Sequence, residues 1–217
     1  MLVVIWALLA AGVSCQGAEL FVALGLVTIL TAVSMFGWAA EQDAMPRRHI
    51  LDLLRGGDRR MIGRSDQVAA MVSKVPELFP ELIAGLWSED PLARMRAADS
   101  AEKVTRKNHE LLQPHKRELL GLMAETGRQE LRWHLAVMVP RLRLNAKERQ
   151  IAISSLNRYL EDRSSIVKTS ALQGLADLAQ GDASIRPGVI DILREATRSG
   201  TAAMRARSRK LLLRLER

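Results

Sequence analysis

The hydrophobic pattern divides the chain into two unlike stretches. From Leu2 to Val13 no side chain is charged, and after Ser14–Glu19 the 21 residues from Leu20 to Ala40 are again uncharged. A helix over 20–40 would be long enough to cross the hydrocarbon core of a membrane, which takes about 20 residues. Arg47, Arg48, Arg55, Arg59 and Arg60 follow it, and the positive-inside rule then places the body of the chain in the cytoplasm. Two readings stand for residues 1–44. Either they anchor the protein to the cytoplasmic membrane, or they are an upstream extension and the protein begins at Met45. There Pro46-Arg47-Arg48 leads into the amphipathic His49-Ile50-Leu51-Asp52-Leu53-Leu54. The first apolar run has no positive charge before it, which does not suit a signal peptide.

Beyond residue 74 the pattern repeats. Arg94, Arg132, Lys168 and Arg205 are spaced by 38, 36 and 37 residues. Three positions after each landmark stand Ala97, Leu135, Ala171 and Ser208. Seven after it stand Ala101, Val139, Leu175 and Leu212, and ten after it Val104, Leu142, Leu178 and Leu215. Offsets of 3, 7 and 10 fall on one face of a helix, so each set predicts a buried stripe. Twelve residues before each landmark is a leucine: Leu82, Leu120, Leu156 and Leu193. Eighteen before it stand Pro76, Pro114, Gln150 and Pro187. Proline fits the first turn of a helix, where its missing N–H costs nothing, so three copies open a preceding helix alike. The third opens earlier, with Asn145 as its N-cap.

Short breaks separate the paired helices: Ser88-Glu89-Asp90-Pro91, Glu125-Thr126-Gly127, Glu161-Asp162-Arg163-Ser164 and Arg198-Ser199-Gly200-Thr201. Neither helix of a pair can hide its apolar face alone, and stacking neighbours would bury one continuous core. The predicted fold is all-α, an α-solenoid of about four helix-turn-helix repeats over 74–217. Residues 45–73 form an N-terminal helical cap, with a short helix to Arg55, a basic Gly-rich loop through Gly63 and a helix capped by Ser65.

Asp90-Pro91, Arg94 and Ala97, with apolar residues at 101 and 104, resemble the second helix of a HEAT repeat. Ser165-Ile166-Val167-Lys168, Ala171 and Leu175-Ala176-Asp177-Leu178 resemble it more closely. The resemblance covers about two-thirds of the chain and is to an uncharacterised bacterial HEAT-repeat protein. It implies a stacked scaffold whose second helices line a concave face. Leu135 is larger than the family's usual residue, and Ser208 replaces a small apolar one.

Composition narrows the function classes. Aromatic residues make up 4% of 217 residues, and one Cys excludes a disulfide framework or a site built of several thiolates. The net charge of +8 is uneven: Glu19, Glu41 and Asp43 give residues 1–44 a charge of −3, leaving +11 on the rest. His49, His109, His115 and His134 show no metal-ligand spacing. No Gly-x-Ser-x-Gly elbow occurs. No cofactor or catalytic residue is assigned.

The candidate binding residues are therefore basic. Arg59, Arg60 and Arg64 belong to the loop Arg55–Ser65, whose glycines could bring backbone N–H groups to an anion. That loop lacks the Gly-Lys-Ser/Thr ending of a phosphate loop, and a solvated connector is the simpler reading. Arg96 and Arg132 lie on second helices, where a ladder of cations would suit an acidic partner or a nucleic-acid backbone. The landmark cations themselves fit better as ties between neighbouring turns. Arg207, Arg209, Lys210 and Arg214 exceed the repeat pattern, since 201–217 holds six basic residues and one acid. Trp87 with Asp90, or Trp133 beside Arg132 and His134, superficially imitates the cleft of HEAT-like DNA alkylation glycosylases, but Trp87 is expected to pack into the core. The functional expectation is a non-enzymatic scaffold that binds a protein through its concave or basic C-terminal surface. Nucleic-acid backbone binding stands second and base excision third. A membrane is a partner only if the 20–40 helix belongs to the mature chain.

Overall fold

A computed structural model describes residues 50–58 and 63–216. The apolar segment 1–44, the predicted helix over 20–40, and Arg59 and Arg60 lie outside the described residues. The described residues are all helical, with nine α-helices and no strand among them. No helix among them is long and apolar enough to cross a membrane.

In chain order the helices are α1 (Ser65–Lys74), α2 (Phe79–Ala84), α3 (Pro91–Thr105), α4 (Lys116–Glu125), α5 (Gln129–Met138), α6 (Ala146–Leu160), α7 (Ser165–Gln180), α8 (Arg186–Ser199) and α9 (Ala202–Leu215). Local chemistry explains their starts. Asp90 Oδ1 accepts from the Leu92 N–H at 2.9 Å, with Pro91 in the first turn of α3. Asn145 and Glu148 close a reciprocal capping box on α6. The Ser164 and Thr201 hydroxyls cap α7 and α9 singly, accepting from the Val167 and Met204 N–H groups.

The prolines act less uniformly than their spacing predicts. Pro187 does sit in the first turn of α8. Pro76 opens a 3₁₀ turn ahead of α2, and Pro114 lies inside a 3₁₀ segment, His109–His115, ahead of α4. Pro140 follows α5, which ends at Met138 and continues as the 3₁₀ turn Val139–Arg141. Proline supplies no N–H to the helical ladder, so the α-helix stops and the turn carries Arg141 onward. At the N-terminal end the short helix is a 3₁₀ turn, Asp52–Leu54, and α1 starts at Ser65 with Arg64 as its N-cap residue.

Each predicted pair packs together: α2 on α3, α4 on α5, α6 on α7 and α8 on α9. The second helices also pack in series, α1 on α3, α3 on α5, α5 on α7 and α7 on α9. The repeated stripe is the core. Ala97, Leu135, Ala171 and Ser208 are all fully buried, as are Leu82, Leu156 and Leu193. The larger Leu135 is accommodated, and Ser208 holds the fourth place in the row.

Candidate functional site

The basic residues fall into three groups, separated by what their guanidinium or ammonium heads touch.

Two of the landmark cations, Arg94 and Arg132, are ties between units, whereas Lys168 makes no hydrogen bond or ion pair among the described residues. Arg94 donates to the Ser88 carbonyl at 2.6 Å, in the turn of its own pair, and pairs with Glu130 of the next at 3.2 Å. Arg132 repeats this geometry, donating to the Thr126 carbonyl at 2.9 Å and pairing with Asp162 at 2.6 Å. It also lies 5.3 Å from the centre of the Tyr159 ring, a cation–π distance. Arg205 reaches the Gly200 carbonyl at 2.8 Å. Burial alone would raise the Asp162 carboxyl, but hydrogen bonds from the Ser164 N–H and Arg132 hold it below the usual range.

Arg96 is not part of a ladder open to a partner. It is 2% exposed, and its guanidinium donates to the carbonyls of Leu54 (2.9 Å), Gly56 (2.5 Å) and Asp58 (3.0 Å). The Gly-rich loop thus turns backbone oxygens towards a cation of the chain itself. Gly56 and Gly57 have positive φ, and a Cβ on Gly63 would fall 2.6 Å from Arg96 Cζ. The glycines are needed for this approach, which has the polarity opposite to an anion cradle. Arg64 is exposed at the start of α1.

The second group lines a groove of about 510 Å³ across α3, α5, α7 and α9. Its wall includes Asp99, Glu102 and Arg106 of α3, His134 of α5, Arg141 of the following turn, Gln173 and Asp177 of α7, and Arg207 of α9. Most of its charges answer one another. Glu102, 6% exposed, accepts from Arg106 and from Arg141 at 2.5 Å. Burial would raise its carboxyl, but the hydrogen bonds from the two arginines outweigh that and lower it. Asp177 accepts from Arg214 at 2.7 Å and from Gln173 at 2.8 Å, while Gln173 Oε1 accepts from Arg207 at 3.1 Å. Asp99 and Asp66 both hold Lys103. Burial pushes the His134 imidazole down to about 4, so it is neutral at pH 7. Its ring lies edge-on to Trp133, with centroids 5.4 Å apart.

Sequence reasoning missed this groove apart from Arg207 and Arg214. The signal was present in the register: nine positions after each landmark stand Lys103, Arg141, Asp177 and Arg214, charged in every unit.

The third group is on α9. Arg209 and Lys210 are exposed and make no hydrogen bond or ion pair among the described residues. Four positions after the landmark the earlier units have Ala98, Ala136 and Leu172, each buried, where α9 has Arg209. Beside them Leu213 is 64% exposed. Arg214 is half-buried on Asp177 and belongs with the groove.

Trp87 is 49% exposed rather than packed in the core. It borders a cleft of about 300 Å³ between the first two turns, and the Asp90 carboxylate beside it is the α3 cap. Among the described residues no three His, Cys, Asp or Glu side chains converge as metal ligands. No protein-family model matches the chain, and no curated protein matches it.

Proposed function

We propose that residues 74–217 form a HEAT-type α-solenoid behind a short helical cap, and that the protein is a non-enzymatic scaffold binding another protein. The helix pairs and the serial packing of their second helices support the solenoid reading. The observation that carries the binding reading is the division among the cations. Arg94, Arg96 and Arg132 are spent on the chain's own carbonyls and carboxylates, whereas Arg209 and Lys210 stand exposed beside the exposed Leu213. An apolar side chain rimmed by cations suits an acidic partner surface.

Affinity capture by the full chain from native cells tests this. The expected result is a protein partner that is lost with Arg209→Glu/Lys210→Glu; a partner set unchanged by that double reversal contradicts it. The same two cations also support a second reading, binding of a nucleic-acid backbone. In that case retention of duplex or single strands would fall steeply with salt, with a slope reduced in the double variant.

A further inference from the structure

Two positions after each landmark, Arg96, His134, Ser170 and Arg207 occupy equivalent places on the second helices. At the first of these the protein displays a recognition event of its own. Arg96 gathers the backbone carbonyls of Leu54, Gly56 and Asp58 at 2.5–3.0 Å, so the end of the 3₁₀ turn and the loop after it are held there through main-chain oxygens. His134 and Arg207, one and three units along, face the groove instead.

His134 is 8% exposed and hydrogen-bonds to nothing among the described residues, although it lines the groove. Its ring nitrogens are unpaired but not sealed from solvent, so a ligand in the groove can reach them. The neutral ring offers one N–H donor and one lone pair, the complement of an amide. The carboxylates of the groove are already engaged: Glu102 by Arg106 and Arg141, Asp177 by Arg214, and Asp99 by Lys103. Arg207 touches only the Gln173 amide oxygen, so among the described groove arginines it alone lacks a carboxylate. A polyanion such as a nucleic acid would face Asp99, Glu102 and Asp177 as well, which favours a ligand with a single, placed negative charge.

We propose that this groove binds an extended peptide segment of a partner protein, with a backbone amide on His134 and an Asp or Glu carboxylate on Arg207. The proposal rests on the protein-scaffold reading and gives it a second, separate contact. Panning a random dodecapeptide display library on the full chain, then measuring the recovered peptides by fluorescence anisotropy, tests it. The recovered peptides should carry Asp or Glu. Arg207→Ala should weaken them about tenfold and His134→Phe about fivefold, while Arg209→Ala/Lys210→Ala leaves them within about twofold. Arg207 is exposed, so its truncation decides the matter even if His134→Phe folds poorly. No enriched peptide, or peptides indifferent to Arg207→Ala, would overturn the proposal. Cellular capture that survives Arg207→Ala but fails with Arg209→Glu/Lys210→Glu also counts against the groove and leaves the scaffold reading standing.

Discussion

Gly174 in α7 lies against the carbonyl oxygen of Ala136 in α5, so close that a Cβ there would overlap it. The other junctions with charged ties on the groove side use Lys103 with Asp66, Arg141 with Glu102, and Arg214 with Asp177. Here the helices meet backbone to side, and closeness does the work.

Gly174→Ala should therefore destabilise the protein by about 2–3 kcal/mol, because the obstructing atom is a backbone carbonyl that cannot rotate away. Gly121, exposed in α4 with no atom within 4 Å of a Cβ, provides the contrast. Gly121→Ala should stabilise by about 0.5–1 kcal/mol. Urea denaturation of the two variants checks both signs.

Glu102 is the buried anion on which Arg106 and Arg141 converge. Glu102→Gln should cost about 2–3 kcal/mol, since Arg141 loses its counter-charge but keeps the Thr105 hydroxyl at 2.9 Å. The carboxyl is held below its ordinary value of 4.5 in the folded state. Its stabilisation is thus complete above that value and is lost as pH falls through the lower, folded one. Urea midpoints below pH 4.5 should fall less steeply in Glu102→Gln than in the parent.

His134 acts in a different window. Its folded-state value of about 4 lies below the ordinary 6.5 because burial penalises the charged ring. The unfolded chain therefore takes up the proton first as pH falls. Stability should be full above pH 6.5 and decline towards pH 4, and His134→Phe should remove that part of the profile. An NMR titration placing the His134 midpoint near 6.5 would contradict this.

Arg96 holds the N-terminal segment through three carbonyls. Arg96→Ala should release amide-exchange protection in residues 50–58 while α5 to α9 stay protected. Equal loss across all helices would show that the arginine supports the whole fold instead.

Periodicity made the core legible because a helical stripe reports burial directly: Ala97, Ala101 and Val104 could be placed from spacing alone. The cations could not be sorted in that way. Whether Arg132 is free or tied depends on Asp162, thirty residues along, and nothing local to Arg96 announces that a loop forty residues upstream would wrap it. His134 carried no metal spacing and stood out only beside Arg132 and Trp133, whereas its place in the groove follows from the register it shares with Arg96 and Arg207. Trp87 was expected inside because it closes a first helix, yet the 3₁₀ turn Gly85–Trp87 leaves it half-exposed beside the next turn.

The central claim is that cations spent on the stack and cations presented to a partner are different residues. Arg132→Ala and Arg209→Glu/Lys210→Glu, compared for melting temperature and for partner capture by the full chain, test it most directly. The first should lower stability by about 1–3 kcal/mol through its lost ties to Asp162 and Thr126, and leave capture intact. The second should leave the melting temperature unchanged and abolish capture. Capture lost with Arg132→Ala at unaltered stability, or retained in the double reversal, would contradict it.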